Sequence, residues 1–243
     1  MTLREQITTI THGVGAGLQF NAGPAGLACA RGTYEMPLQR ALAQYLKPAG
    51  VFYDIGANVG FFTAIAAKLV GPAGQVYAFE PVPENAERIH QNIQLNQFRN
   101  VGVLEKAVSN TNGQGILLLA DHCGGATLAT AGLPPDLRGK MTVDLVRIDD
   151  LVSQARIKPP TVVKVDVEGA EIEALEGMGQ TLGQFQPVVI YEVDDAELEA
   201  FQYKFRAVAE FLQTLNYQSI PLEAAYPGIP WHVGHAVALP GKY

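Results

Sequence analysis

From position 51 onward the chain alternates between short apolar runs and longer stretches with helical spacing. VFYDIG (51–56), QVYAFE (75–80), VGVLEKAV (101–108), TVVKVDV (161–167) and PVVIYEV (187–193) are rich in β-branched and aromatic residues and predict strands. Between them, FFTAIAAKLVG predicts a helix that stops at Gly71-Pro72. Pro83, followed by Glu84, opens a second helix to about Asn96. A third helix is expected over about 169–183, and a fourth from Asp194-Asp195 to about Asn216. Leu198, Phe201, Phe205, Val208, Phe211, Leu212 and Leu215 form one stripe of that last helix. Two more strands are predicted near YQSIPL and HAVALP. Repeated strand–helix–strand units give an α/β fold, a mostly parallel sheet covered by helices on both faces.

Two segments break this rhythm. Residues 1–50 predict a hairpin in THGVGAGLQFNAG and a helix over 36–46, read as an N-terminal extension packed on a 51–243 domain. Residues 109–148 read as an insertion: a turn at NTNGQG, a strand at ILLLA, a long Gly/Pro-rich loop, and a strand at MTVDLVRI (141–148) hairpinned with ILLLA.

The strand pattern changes character at KVDVEGAEIEAL. Val163, Val165 and Val167 point one way, so Lys164, Asp166 and Glu168 point the other. Charges on a buried strand face must be paired or used. Composition narrows the uses. The chain has 243 residues, 48% hydrophobic and 17% charged, with a net charge of −7. That is enough apolar residue for a large core, and the acidity disfavours nucleic acid and anionic membrane as partners. Cys29 and Cys123 have no CxxC spacing, which suits a reducing compartment. The first residues lack an apolar h-region and no stretch is long enough to span a bilayer, so a cytoplasmic location is expected; the acidic balance would suit a small cationic ligand better than a polyanion. Oligomeric state is not readable from these patterns.

DIGANVG (Asp54–Gly60) joins the first strand to the first helix. Gly56 and Gly60 allow a tight turn and close approach to a ligand, at the carboxyl end of the strand where open parallel sheets bind ligands. The spacing departs from the dinucleotide GxGxxG pattern and has no GK[ST] phosphate loop. Glu80 ends the next strand, where a carboxylate can accept from two ribose hydroxyls. Asp54 favours a ligand with a cationic amino-acid end over a pyrophosphate; its alternative is a helix-capping role.

DIGANVGFFTAIAA, FEPVPENAERIHQN and KVDVEGAEIEALEG together resemble the S-adenosylmethionine-dependent methyltransferases of the FkbM family, over about positions 30–195. The resemblance implies a Rossmann-like class I fold, seven strands with the last antiparallel. It implies that Asp54, Gly56, Ala57, Asn58 and Gly60 line the methionine end of the cofactor and Glu80 its ribose. Glu105 or the Ala107 backbone would lie near adenine. Asp166 and Glu168 then fall beside the transferable methyl, as candidate catalytic bases for an alcohol acceptor, with Lys164 as an ion-pair partner. Asp166, Glu192 and Asp194 also form an oxygen-rich set of the kind that takes Mg²⁺. The activity implied is O-methylation of a small molecule, sugar or natural-product scaffold. N-methylation and a catalytically inactive cofactor-binding partner protein are the alternatives. Among lesser candidates, Tyr34 and Glu35 read as a cofactor cap or as helix-dipole compensation, and His122 and Cys123 as loop residues. His232 and His235 read as a weak metal signal, and Asp149 and Asp150 as the start of a short helix.

Overall fold

The computed structural model describes residues 7–120, 126–132, 137–226, 228 and 231–241. The chain enters as an antiparallel hairpin, β1 (Ile7–Thr9) with β2 (Gln19–Asn21), followed by α1 (Gly26–Arg31) and α2 (Met36–Tyr45). THGVGAGL is the hairpin's connection, so its strands lie just outside the glycine-rich run.

The repeating units then follow: β3 (Val51–Ile55), α3 (Phe61–Val70), β4 (Gln75–Phe79), α4 (Pro83–Leu95) and β5 (Val101–Leu104). After an intervening segment come α5 (Ile148–Ser153), β10 (Val162–Val165), α6 (Glu171–Glu176) and α7 (Gly179–Phe185). The chain closes with β11 (Val188–Asp195), α8 (Leu198–Thr214), β12 (Tyr217–Pro221) and β13 (His232–Pro240). The main sheet has seven strands in the order β12-β13-β11-β10-β3-β4-β5. β13, the last strand, runs antiparallel between β11 and β12; the pairs β11–β10, β10–β3, β3–β4 and β4–β5 are parallel. This is the class I methyltransferase arrangement that the family resemblance implied.

Strand alternation divides the core between two faces. Phe52, Val162, Ile190 and Val237 join the cluster under α2 and α3, where Ile10, Phe20, Leu38 and Leu42 of the N-terminal segment also pack. Tyr53, Val163, Tyr191 and Ala236 join the cluster under α5, α6, α7 and α8. Asn92 of α4 ties the N-terminal hairpin down, accepting from the Asn21 amide (2.8 Å) and donating to the Val59 carbonyl (3.0 Å).

The segment between β5 and α5 forms a second sheet. β6 (Ala107–Val108), β7 (Gly113–Ala120), β8 (Ala126–Leu128) and β9 (Leu137–Val146) lie in the order β6-β9-β7-β8. β7 and β9 pair antiparallel, with Leu117 opposite Met141.

Two elements differ from the sequence reading, and a third gains a role. The expected strand over 101–108 is split, because β5 follows β4 while β6 crosses to pair with β9. The expected helix over 169–183 is two helices, broken where the backbone of Gly177 passes Ser109: a Cβ there would sit 2.0 Å from the Ser109 carbonyl oxygen. Asp149 and Asp150 do lie in the first turn of α5, but the buried Asp149 carboxylate caps α7 instead, accepting from the amides of Gln180 (3.0 Å) and Thr181 (2.8 Å). Among the described residues, no helix is long and apolar enough to cross a membrane.

Candidate functional site

The carboxyl ends of β3, β4 and β10 converge on a cavity whose far wall is the second sheet. The turn after β3 builds its floor. Gly56 has φ +77°, and a Cβ on it would lie 1.7 Å from the Asp166 carbonyl oxygen. Only glycine lets these two strand ends approach so closely. Asn58 follows with φ +50°, and its amide donates to Glu80 Oε2 at 2.7 Å. Glu80 Oε1 accepts from the Val82 amide (3.0 Å) and from Asn85 Nδ2 (3.2 Å). Burial raises the Glu80 carboxyl to about 7, against the lowering effect of the hydrogen bonds from Val82, Asn85 and Asn58. A carboxylate oxygen has lone pairs beyond one bond, so Glu80 keeps acceptor capacity toward the cavity it lines.

Gly56, Asn58, Glu80, Ala107, Asp166 and Glu168, all named from the sequence, line this one cavity. Ala57 lines an adjoining cavity that shares Tyr34, Gly56, Asn58 and Asp166. Gly60 lines neither; with φ +83° it is the residue before α3, backed by Ile89. Glu105 is exposed and also lines neither. Asp54 departs furthest from expectation. Its side chain is wholly buried beneath the turn, where Thr63 Oγ1 donates to Oδ2 (2.5 Å) and Lys164 Nζ lies 3.6 Å from Oδ1. It lines neither cavity; it ties β3 to the first turn of α3. Burial raises its carboxyl, partly offset by Lys164 and the Thr63 hydrogen bond.

Lys164 answers the question raised by KVDVEG. Its ammonium is buried, 2.9 Å from Asp166 Oδ2, and it also donates to the Gly56 carbonyl (3.3 Å). Burial pulls its pKa down, but Asp166 and Asp54 together outweigh that and leave it raised. β10 ends at Val165, so Asp166 and Glu168 lie on the turn beyond the strand. Glu168 adopts φ +48°, uncommon for a residue with a side chain, and its carbonyl accepts from Thr127 Oγ1 of β8. The second sheet is thereby latched to the turn after β10. Glu171 Oε1 accepts from the Gly169 amide (2.7 Å), and burial lifts its carboxyl to about 7.

The cavity is strongly acidic. Burial, with Asp194, Asp166 and Glu192 nearby, raises the Glu168 carboxyl well above its ordinary range. Burial together with Asp166 and Glu35 does the same to Glu192. Such a site welcomes a positive ligand group. Asp194 is turned aside, with Oδ2 accepting from Trp231 Nε1 at 2.5 Å, so Asp166, Glu192 and Asp194 do not form the oxygen-rich set expected from the sequence. Glu192 meets different partners. His235 stands opposite it on β13, and Glu35, held at φ +42° before α2, reaches the same point from above. Glu35 makes no cap to α2; its carboxylate accepts from the Tyr226 hydroxyl and faces His235. His232 instead lies against the Phe201 ring. No sequence pattern joined Glu35, Glu192 and His235, although the alternation His235-x-Val237 against Ala236-x-Ala238 marks His235 as facing the same side as Glu192's row. His122 and Cys123 lie outside the described residues.

Comparisons with known proteins agree with this fold. The chain is 28% identical over 159 residues to the hexuronic acid methyltransferase AglP of Haloferax volcanii, covering 64% of this chain and 61% of that protein. It is 28% identical over 200 residues to the 2-O-methyltransferase NoeI of Sinorhizobium fredii, covering 76% and 80%. The crystal structure of methyltransferase FkbM from Methylobacillus flagellatus KT superposes with a TM-score of 0.54 at 15% identity, covering 83% of this chain and 50% of that one. The chain thus spans about three-fifths of AglP and half of the M. flagellatus protein. Residues 54–219 match the methyltransferase FkbM domain, and the chain belongs to that family of S-adenosylmethionine-dependent methyltransferases.

Proposed function

We propose that this domain transfers the methyl group of S-adenosylmethionine to an oxygen of a small molecule, most simply a sugar hydroxyl. The observation that carries the reading is the single cavity in which Glu80 and the Asn58 turn face Asp166 and Glu168. Glu80 would hold the cofactor's ribose, and the acidic end of the cavity would face its sulfonium. In the reaction the S–CH₃ bond breaks as the O–CH₃ bond forms in line, and the acceptor hydroxyl gives up its proton. Asp166 is the base in this scheme: Lys164 fixes its orientation through a charge-assisted hydrogen bond of 2.9 Å while one side remains open to the cavity. Glu168, whose protonated form is favoured, binds the acceptor by donating a hydrogen bond. AglP is named for a hexuronic acid and NoeI for 2-O-methylation, which supports an oxygen acceptor on a carbohydrate.

The test is a tritium-transfer assay from S-adenosylmethionine to a panel of hexoses, deoxyhexoses and hexuronic acids. On the acceptor found, Asp166→Asn is expected to lower kcat by about 10²-fold or more with cofactor affinity retained. Unchanged kcat in that variant would remove Asp166 as the base.

A further inference from the structure

Beneath the acidic end of the cavity, three side chains from three distant parts of the chain converge. Glu35 comes from the entry to α2, Glu192 from β11 and His235 from β13. One ligand atom from each lies within 4.8 Å of the other two. His235 Nε2 is 2.5 Å from Glu192 Oε2 and 3.7 Å from Glu35 Oε2. Glu35 and His235 are each only 3% exposed.

These groups are not satisfied by one another. Glu35 Oε2, Glu192 Oε2 and both ring nitrogens of His235 are buried without a hydrogen-bond partner, the short Glu192–His235 contact being misaligned for one. The neighbouring lysine, Lys164, is already engaged by Asp166, Asp54 and the Gly56 carbonyl. Buried carboxylate oxygens and ring nitrogens without a hydrogen-bond partner are costly, and native structures rarely leave them without a function. The chain also holds Glu35 in a left-handed backbone conformation to deliver it there, the kind of local strain that clusters at ligand sites.

We infer that Glu35, Glu192 and His235 form a binding site for one divalent transition-metal ion. Three protein ligands with bonds of about 2.0–2.2 Å and at least one open position are the arrangement of catalytic metal sites. One imidazole and two carboxylates suit Zn²⁺ or Mn²⁺ better than Mg²⁺, which prefers an octahedron of oxygens. Tyr226, whose hydroxyl donates to the other oxygen of Glu35, fixes the orientation of that carboxylate. Glu192 also lines the main cavity, so an ion held here would border it. The ion would acidify or orient the acceptor oxygen; that use rests on the methyl-transfer reading, but the binding does not.

The experiment measures binding directly, without cofactor or acceptor. The purified full chain is stripped with a chelator, re-equilibrated with Zn²⁺, Mn²⁺ or Mg²⁺, and analysed by equilibrium dialysis with elemental analysis and by thermal melting. The expected result is one Zn²⁺ or Mn²⁺ per chain, a raised melting temperature with that ion, and binding weakened more than about tenfold in Glu35→Gln, Glu192→Gln and His235→Ala. Asp195→Asn, on the Lys204 pair outside the triad, is expected to bind as the parent does. The near-isosteric glutamine variants, checked by circular dichroism, keep the result readable if His235→Ala fails to fold. No stoichiometric ion in the parent, equal uptake by all variants, or preference for Mg²⁺ would overturn the site. None of those outcomes bears on methyl transfer, which the tritium assay judges separately.

Discussion

The two faces of the central sheet are built by the same strands and end in opposite ways. On the face under α5 to α8, Tyr53, Val163, Tyr191 and Ala236 carry an apolar surface from strand to strand. On the other face, Phe52, Val162, Ile190 and Val237 begin the same kind of surface, but the next residue on that face of each strand is Asp54, Lys164, Glu192 or His235; Asp54 and Lys164 pair with each other, and Glu192 and His235 pair one repeat further along. The first face is core throughout. The second changes from core to chemistry within one strand repeat, at the carboxyl ends where the cavity opens. The lesson concerns cost: burying these charges is tolerable because Lys164 neutralises Asp54 and Asp166, while the proposed site at Glu192 and His235 would take a further ligand.

The largest effect is expected at the turn that brings the charged face against the cavity. Gly56→Ala would place a methyl group 1.7 Å from the Asp166 carbonyl at φ +77°, so the turn has to open. Loss of more than about 4 kcal/mol, or no soluble folded protein, is expected. Chemical denaturation checks it, and a variant as stable as the parent would mean that the strand ends approach less closely.

Next comes the charge that neutralises the row. Lys164→Met leaves Asp54 and Asp166 without their cation, and removing one member of a buried pair costs about 3–5 kcal/mol. On the opposite face, Tyr53→Phe removes one hydrogen bond to the Lys158 carbonyl and is expected to cost only about 1 kcal/mol. Equal costs in urea melts would erase the contrast between the faces.

An effect nearer in size to that of Tyr53→Phe concerns Glu80 and pH. Because its folded carboxyl is raised to about 7, the folded cofactor-free protein holds this proton more tightly than the unfolded chain. Glu80 therefore favours folding most below the ordinary carboxylate range, and that contribution falls as pH rises toward about 7. Ribose hydroxyls donate to the ionised form, so affinity for S-adenosylhomocysteine is expected to increase as pH rises through about 7. Glu80→Gln should bind about tenfold more weakly and lose most of that slope, a change of order 1.4 kcal/mol. Calorimetric titrations at several pH values decide it; a slope retained in the variant would assign the proton elsewhere.

Much of this architecture was legible in the chain. Periodicity located the strands and helices of the α/β core, because both faces of a parallel sheet must be apolar and helices must show a stripe. DIGANVG, FEP and KVDVEGAE hold half of the residues that line the cavity, because their glycines and strand-end acids answer to local geometry. Asp54 shows the limit. Its position at a strand end was readable, but its burial against Thr63 and Lys164 depends on α3 and β10 closing over it.

The sequence by itself determined the fold class, the family and the glycine turn that brings a ligand near the strand ends. These follow from patterns within some 15 residues, where backbone sterics and side-chain alternation act directly. Only the tertiary structure decided which charges are structural and which face the cavity. It turned Asp194 toward Trp231, set Asp149 as the cap of α7, and gathered Glu35, Glu192 and His235 from positions up to 200 residues apart. Such a grouping is set by strand order: β13 inserts beside β11, and α2 crosses the same face. No local spacing encodes that neighbourhood, because long-range packing alone brings those atoms together.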